Sequence, residues 1–280
     1  MKLYLSIDME GMPGTYNWDQ EKTDRATVKS LMSAHVELVL KEILQHPKAS
    51  AIEEIVIADS HAGGDNLGFE ITALDKSICL ISGGPRPRYM LPDFDAEYDR
   101  VFLLGYHSGT GALMGNMDHT YSNSRVHKIF INDKAMNEAL INAAYAGYHK
   151  VPVALVTGDE ALRKELFRED AMPWLDYVST KRAVAKFAAK NYSSLRVDLQ
   201  IKNAVERALN KDRQAIPLYS FSAPVKLNIE FHSTAMTDVA CLMPYVKRLD
   251  GRNIEFVEDN YGIVFEALMA LVTLASTASM

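Results

Sequence analysis

Apolar positions in the first half of the chain form short continuous runs separated by longer amphipathic stretches. Leu3-Tyr4-Leu5-Ser6-Ile7 opens the chain with a run of strand length. Val28, Leu31, Met32, Val36, Val39, Leu40 and Ile43 then recur at three- and four-residue steps, which predicts a helix over about 22–45, closed by Pro47. Ile55–Ala58, Ile78–Ile81 and Val101–Leu104 are apolar without alternation, the mark of strands buried on both faces of a parallel sheet. Val126–Ile131 reads as another strand, 134–149 as a helix, and Val151–Val156 again as a strand.

From about residue 160 the pattern changes. Helical segments at about 159–169 and 194–210 flank a less regular stretch. Val225, Leu227, Ile229 and Phe231 alternate with polar residues, which predicts a strand with one wet face. A short strand at about 254–258 precedes a terminal apolar helix. The expected fold is α/β, with a mostly parallel central sheet flanked by helices and a smaller C-terminal α+β lobe. Residues 1–160 form the core of this expectation, and residues 161–280 form a lobe that completes the same unit.

Composition narrows the function classes. The 280 residues are 48% hydrophobic, enough for a large core. Lys and Arg total 30 against 36 Asp and Glu, a net charge of −6 that disfavours a general nucleic-acid binder. Cys79 and Cys241 stand in apolar contexts and read as reduced core thiols. The N-terminal apolar run is too short for a signal peptide. Gly262–Ser276 carries Glu266 and falls short of the roughly 20 residues of a membrane span. A soluble cytoplasmic protein without a membrane partner is expected.

The chemistry collects just after the strands. Asp8 and Glu10 follow the first, one residue apart and ahead of Gly11. A strand continued straight would put both carboxylates on one side, and unpaired acids are rarely buried there for packing alone. Asp59, Ser60 and His61 follow the run ending at Ala58, and Tyr106 and His107 follow the run ending at Gly105. Ligand crevices in open α/β sheets lie beyond the carboxyl ends of the strands, so three strands deliver carboxylate or imidazole to one edge. The mixed oxygen and nitrogen donors suit zinc or manganese better than calcium or magnesium. They exceed the three protein ligands of a typical catalytic zinc. A carboxylate bridging two ions accounts for the surplus, and Asp8 is the candidate bridge. His119, in a glycine-rich loop after His107, is placed to handle protons. Each residue taken singly has a structural alternative: a solvated turn for Asp8 and Glu10, a turn for His61, a satisfied core histidine for His107. Asp59 is a candidate to cap a neighbour or to hold a ligating imidazole. His35 lies by the apolar stripe of the first helix and reads as structural.

These segments together resemble the zinc-dependent D-aminopeptidase family. The likeness rests on Ser6–Gly11, Asp59-Ser60-His61, Leu104-Gly105-Tyr106-His107, Ile131-Asn132-Asp133 running on to Glu138, Ala146-Gly147-Tyr148 with Val151-Pro152-Val153, and Gly158-Asp159. It implies a two-zinc site in which Asp8 bridges, Glu10 and His61 complete one ion, and His107 and Glu138 the other. His119 corresponds to the catalytic histidine. It also implies a homo-oligomeric ring, a decamer of two pentamers, acting on small peptides with an N-terminal D-amino acid. Glu138 enters through the resemblance alone, since helical phase sets it opposite Met136, Leu140 and Ala143, toward solvent. The loop between His107 and His119 is one residue longer than the family pattern, and Asp118 stands where a small polar residue is expected.

The expected reaction is hydrolysis of a peptide bond next to a free amino terminus by a metal-activated water. His119 acts as oxyanion partner, as proton donor or as nucleophile. One alternative is a two-metal phosphoesterase or exonuclease, which would want His-x4-Asp where this chain has His61 and Asp65 one residue too close. The other is a non-catalytic, metal-stabilised binding protein.

Overall fold

Continuous apolar runs at strand length can bury both faces only if helices cover both, and the chain folds accordingly. The computed structural model describes residues 1–278. Its first stretch comprises β1 (Lys2–Ile7), α1 (Asp19–Thr23), α2 (Arg25–Leu44), β2 (Glu54–Asp59), β3 (Ile78–Ile81) and β4 (Arg100–Tyr106). The chain continues with β5 (Val126–Ile131), β6 (Lys134–Ala135), α3 (Glu138–Tyr148), β7 (Val153–Asp159) and α4 (Glu160–Leu166). Its last stretch comprises β8 (Asp176–Ala185), β9 (Ala188–Asn191), α5 (Ser194–Asn210), β10 (Val225–Phe231), α6 (Thr234–Ala240), β11 (Lys247–Arg248), β12 (Asn253–Glu258) and α7 (Tyr261–Ser276).

Seven strands form the main sheet in the order β3-β2-β1-β4-β7-β8-β9, parallel except for the β8–β9 hairpin. A second, antiparallel sheet has the order β11-β12-β10-β5-β6. The α/β expectation with a mostly parallel sheet therefore holds. A boundary at residue 160 separates β7 from β8, which are hydrogen-bonded neighbours, and β5 joins strands from the far end of the chain. Cys79 corrects the sequence reading: β3 is an edge strand, and its thiol side is exposed rather than core. Cys241 is half-buried, and both thiols are free.

Strand order positions the site. The chain runs outward from β1 to β2 and β3, then crosses to the other side of β1 to lay down β4. The switch point falls between β1 and β4, where α/β sheets open their ligand crevice. Ile7 pairs with both Asp59 of β2 and Leu104 of β4, so three loops leave the sheet at one level.

Helix α2 covers one face through Val28, Met32, Val36, Val39, Leu40 and Ile43, all buried, as the periodicity predicts. Helix α5 packs beside it on the same face through Val197, Ile201, Val205 and Leu209. The other face is closed by α3, α7 and the second sheet. No helix of the described residues is long and apolar enough to cross a membrane.

Two glycines set the bend after β1. The Gly11 amide donates to the Gly105 carbonyl at 2.6 Å, and a Cβ on Gly11 would lie 1.8 Å from the Tyr106 carbonyl oxygen. Gly105 itself has φ +77°, and its Cβ would meet the Asp8 carbonyl at 2.3 Å. The two site-bearing loops are therefore pressed backbone to backbone. Gly11→Ala is expected to destabilise the fold by about 3 kcal/mol, because the overlap is with backbone that cannot turn aside. Chemical denaturation measures this; an unchanged midpoint would show that the loops separate easily.

Candidate metal centre

Beyond the carboxyl ends of β1, β2 and β4, six side chains converge. Asp8 and Glu10 come from the loop after β1, His61 from the loop after β2, and His107 from the end of β4. His119 comes from the loop between β4 and β5, and Glu138 is the first residue of α3. The structure thus brings together all six residues singled out from sequence. All are buried except His119, whose side chain keeps 12% of its exposure.

Asp8 divides its two oxygens. Its Oδ1 lies 3.1 Å from His61 Nδ1, and its Oδ2 lies 3.5 Å from His107 Nε2. Glu10 Oε2 joins the first group, 3.2 Å from His61 Nδ1. Glu138 Oε1 joins the second, 3.5 Å from His107 Nε2. Two donor sets that share Asp8 result: Asp8, Glu10 and His61, and Asp8, His107 and Glu138. A third combination, Glu10, His107 and His119, is also close enough to hold an ion. The groups fit a metal on a direct observation: Asp8 Oδ2, Glu10 Oε2 and His107 Nε2 are buried without any hydrogen-bond partner. Buried polar atoms of this kind are uncommon and call for an ion or comparable partner.

The imidazoles are oriented from behind. His61 Nε2 faces Glu21 Oε1 at 3.0 Å, which turns Nδ1 toward the carboxylates. Outer carboxylates commonly fix a ligating imidazole in this way. The sequence offers Asp59 either for that role or as a cap on a neighbour, and the structure shows the cap. Asp59 accepts from the Asn66 and Leu67 amides at 2.6 and 2.9 Å, closing the turn that carries His61. His107 Nδ1 pairs with the Ser108 carbonyl at 2.9 Å, and His119 Nδ1 with the Met117 carbonyl at 2.9 Å. Carbonyls only accept, so both rings carry Nδ1–H and present Nε2 to the cluster. The two rings stack at 4.2 Å between centroids.

Glu138 is buried, contrary to its solvent-facing helical phase. Every residue of α3 from Glu138 to Gly147 is buried, so the phase carried no information there. The Asn137 side chain caps α3 by accepting from the Leu140 amide at 2.8 Å, and the Tyr121 amide holds Glu138 Oε1 at 2.6 Å. Sequence reasoning also missed Trp18, whose indole N–H donates to Glu10 Oε1 at 2.7 Å while its ring meets His119 edge-on. Neither Trp18 nor Glu21 carries a local signal, because both act across a turn of chain that only the fold closes.

The β8–β9 hairpin laces the loops together. Thr180 Oγ1 donates to the Gly11 carbonyl at 2.6 Å, and buried Lys181 Nζ to Thr15 Oγ1 at 2.8 Å. Asn191 Oδ1 accepts from the Gly14 amide at 2.9 Å. The Lys186 carbonyl, at the hairpin turn, accepts from the Met117 amide at 2.7 Å, and its Nζ donates to the Asp118 carbonyl at 2.9 Å. Asp118 is thereby engaged, and its Oδ2 also accepts from the Gly111 amide at 2.7 Å.

Electrostatics follow from crowding three acids in a dry place. Burial, then the charge of Glu10, pushes Asp8 up to about 7. Burial would raise Glu10 as well, but the charge of His61 outweighs it and holds Glu10 well below the usual range. Burial would lower His61 and His107, yet their carboxylate neighbours raise both well above 6.5. His119 goes the other way, lowered by burial and by the positive charge of His107. In the metal-free chain, protonated His61 and His107 supply the positive charge that the carboxylates need.

His35 is structural as expected, buried with Nε2 2.9 Å from Thr157 Oγ1 and its pKa lowered by burial to about 4.

The profile of the D-aminopeptidase family matches residues 1–270 of the chain. A D-aminopeptidase of Bacillus subtilis strain 168 is 29% identical over 283 residues, an alignment covering 100% of this chain and 99% of that protein. A solved structure, the zinc-dependent D-aminopeptidase DppA from Bacillus subtilis, described as a self-compartmentalizing protease, superposes with a TM-score of 0.89. That match is 26% identical and covers 100% of both chains.

Metal ligands must be deprotonated, so binding is expected to expel the protons that the metal-free cluster holds. Zinc added to chelator-stripped protein at pH 7 should release on the order of two protons, chiefly from His61 and His107. Titration calorimetry in buffers of different ionisation enthalpy reads this directly; heats independent of the buffer would contradict it.

Proposed function

The chain belongs to the D-aminopeptidase family and is a metal-dependent aminopeptidase, and from that premise we propose that it hydrolyses small peptides bearing an N-terminal D-amino acid at a two-zinc centre. The observation that carries the two-ion reading is the division of Asp8, with Oδ1 toward His61 and Oδ2 toward His107. On this reading Asp8 is the shared ligand, Glu10 and His61 hold one ion, and His107 and Glu138 hold the other. Zinc, when bound, supplies Lewis acidity that brings the pKa of a water near 7 and polarises the scissile carbonyl.

The remaining roles belong to the chain's own groups. His119 keeps its proton on Nδ1 against the Met117 carbonyl, which leaves a lone pair on Nε2. Nε2 lies 3.8 Å from Glu10 Oε1 and 3.7 Å from Glu138 Oε1, at the face where the two donor sets meet. Its lowered pKa keeps the ring neutral near pH 7, the form that accepts a proton. The proposed cycle has His119 take a proton as the water attacks and return it to the leaving amine. Trp18 restrains the ring from the edge and holds Glu10, so base and ligand keep their spacing. Burial of the cluster excludes bulk water, which strengthens each of these charges.

A second role for His119 is favoured by one observation, its membership of the Glu10–His107–His119 donor set. His119→Ala separates the two. As acid–base catalyst its loss should lower turnover by about 10²–10⁴-fold with zinc content unchanged. Loss of zinc alongside activity would make it a ligand. The substrate class is tested with D- and L-aminoacyl amides, D-alanyl-D-alanine, a phosphomonoester and single-stranded DNA. Zinc-dependent cleavage of the D-peptide is expected; turnover of phosphodiester with none of peptide would overturn the proposal.

We further propose a homo-oligomeric ring, a decamer of two pentamers. Apolar side chains far out in solvent support a partner surface: Leu113 is 87% exposed, Leu242 76% and Tyr245 92%. Light scattering coupled to gel filtration should return a mass near ten chains. A monomer at micromolar concentration would rule the ring out.

A further inference from the structure

A cavity of about 340 Å³ lies between the segment 84–89, the loop at 121–125 and helix α7. Its volume falls in the range of small-ligand sites. Ala62, one residue beyond His61, forms part of its wall. Tyr121, whose amide holds Glu138, forms another part. Tyr89 packs edge-on against Tyr121, with 5.8 Å between centroids, and Met269 and Val272 of α7 complete an apolar side.

Two guanidinium groups face this cavity, from Arg86 and Arg125, and no Asp or Glu is among the described residues that line it. Arg86 has structural work. It donates to the carbonyls of Ser60 and Ala62 at 3.0 Å each, to that of Tyr89 at 3.1 Å and to that of Gly83 at 2.5 Å, so it ties the His61 turn to its neighbour. All of these acceptors are neutral, and the charge has no carboxylate partner among the described residues. Arg125 has no comparable work. Its one side-chain bond among the described residues is to the adjacent Ser124 Oγ at 2.7 Å. Two like charges turned on one partly apolar space are favourable when an anion sits between them. A guanidinium fork matches a planar carboxylate in particular.

We propose that this cavity is the subsite for the C-terminal carboxylate of the substrate, with Arg125 as its anchor. The proposal rests on the aminopeptidase reading. Ala62 and Tyr121 bring the cavity next to His61 and Glu138, and each residue of extended chain adds at most about 3.6 Å of reach. The apolar wall receives the side chain of the leaving residue, and Arg125 receives the carboxylate, with the charge of Arg86 beside it.

The test compares D-alanyl-glycine with D-alanyl-glycinamide on the zinc-loaded, full-length protein. Wild type should favour the free acid in kcat/KM by about tenfold or more, the scale of one hydrogen bond to a charged group. In Arg125→Met that ratio should fall toward one, chiefly through KM. Arg125→Lys, which keeps the charge without the fork, should retain part of it. Equal rates on acid and amide in wild type, or an unchanged ratio in Arg125→Met, overturn the proposal. If neither compound is cleaved, the aminopeptidase reading fails, and calorimetry with N-acetyl-D-alanine against its amide judges the subsite alone. Binding of the acid only, lost in Arg125→Met, upholds it; equal binding of acid and amide overturns it.

Discussion

Mutual repulsion among Asp8, Glu10 and Glu138 is the constraint around which the rest of the structure is organised. Three carboxylates taken out of water within a few ångströms of one another are untenable unless positive charge stands among them. The pKa pattern records the conflict: Asp8 is driven up while Glu10 and Glu138 are held down by imidazoles. Divalent cations and protonated histidines are two solutions to one electrostatic problem. On the proposed ligand set, the same residues would hold protons when metal is absent and lose them when it binds.

Holding such a cluster together demands rigidity from groups that take no part in its chemistry. The Gly11–Gly105 contact fixes the first loop against the third. Asp59 closes the His61 turn, Asn137 caps the helix that begins at Glu138, and Glu21 and Trp18 brace side chains from outside. Each device offsets part of the repulsion by removing the freedom through which the carboxylates would separate.

Strand geometry made four of the site residues legible in the sequence. Asp8, Glu10, His61 and His107 stood out because an apolar strand ending at once in acids or histidine has few structural explanations, and several such strands point to one edge. The parallel sheet was legible for the same reason. Glu138 was not, because α3 is buried all round and amphipathic phase means nothing on such a helix. Nor was β8. Buried Thr180 and Lys181 break its apolar pattern, and they are buried because they bind the loops of the site. The edge position of Cys79 was hidden too, since an apolar run looks alike at the centre and the margin of a sheet.

The lacing of the loops by the β8–β9 hairpin has a consequence for how the molecule comes into being. Synthesis is vectorial, and every residue of the cluster, from Asp8 to Glu138, has been made before Thr180 is added. The Glu10 loop gains its ties to Thr180, Lys181 and Asn191, and the His119 loop its ties to Lys186, only once the hairpin is in place. A nascent chain that ends near residue 160 thus carries a full complement of donors without the frame that spaces them. The cluster reaches its final geometry late in translation, completed by a segment that contributes none of its six side chains.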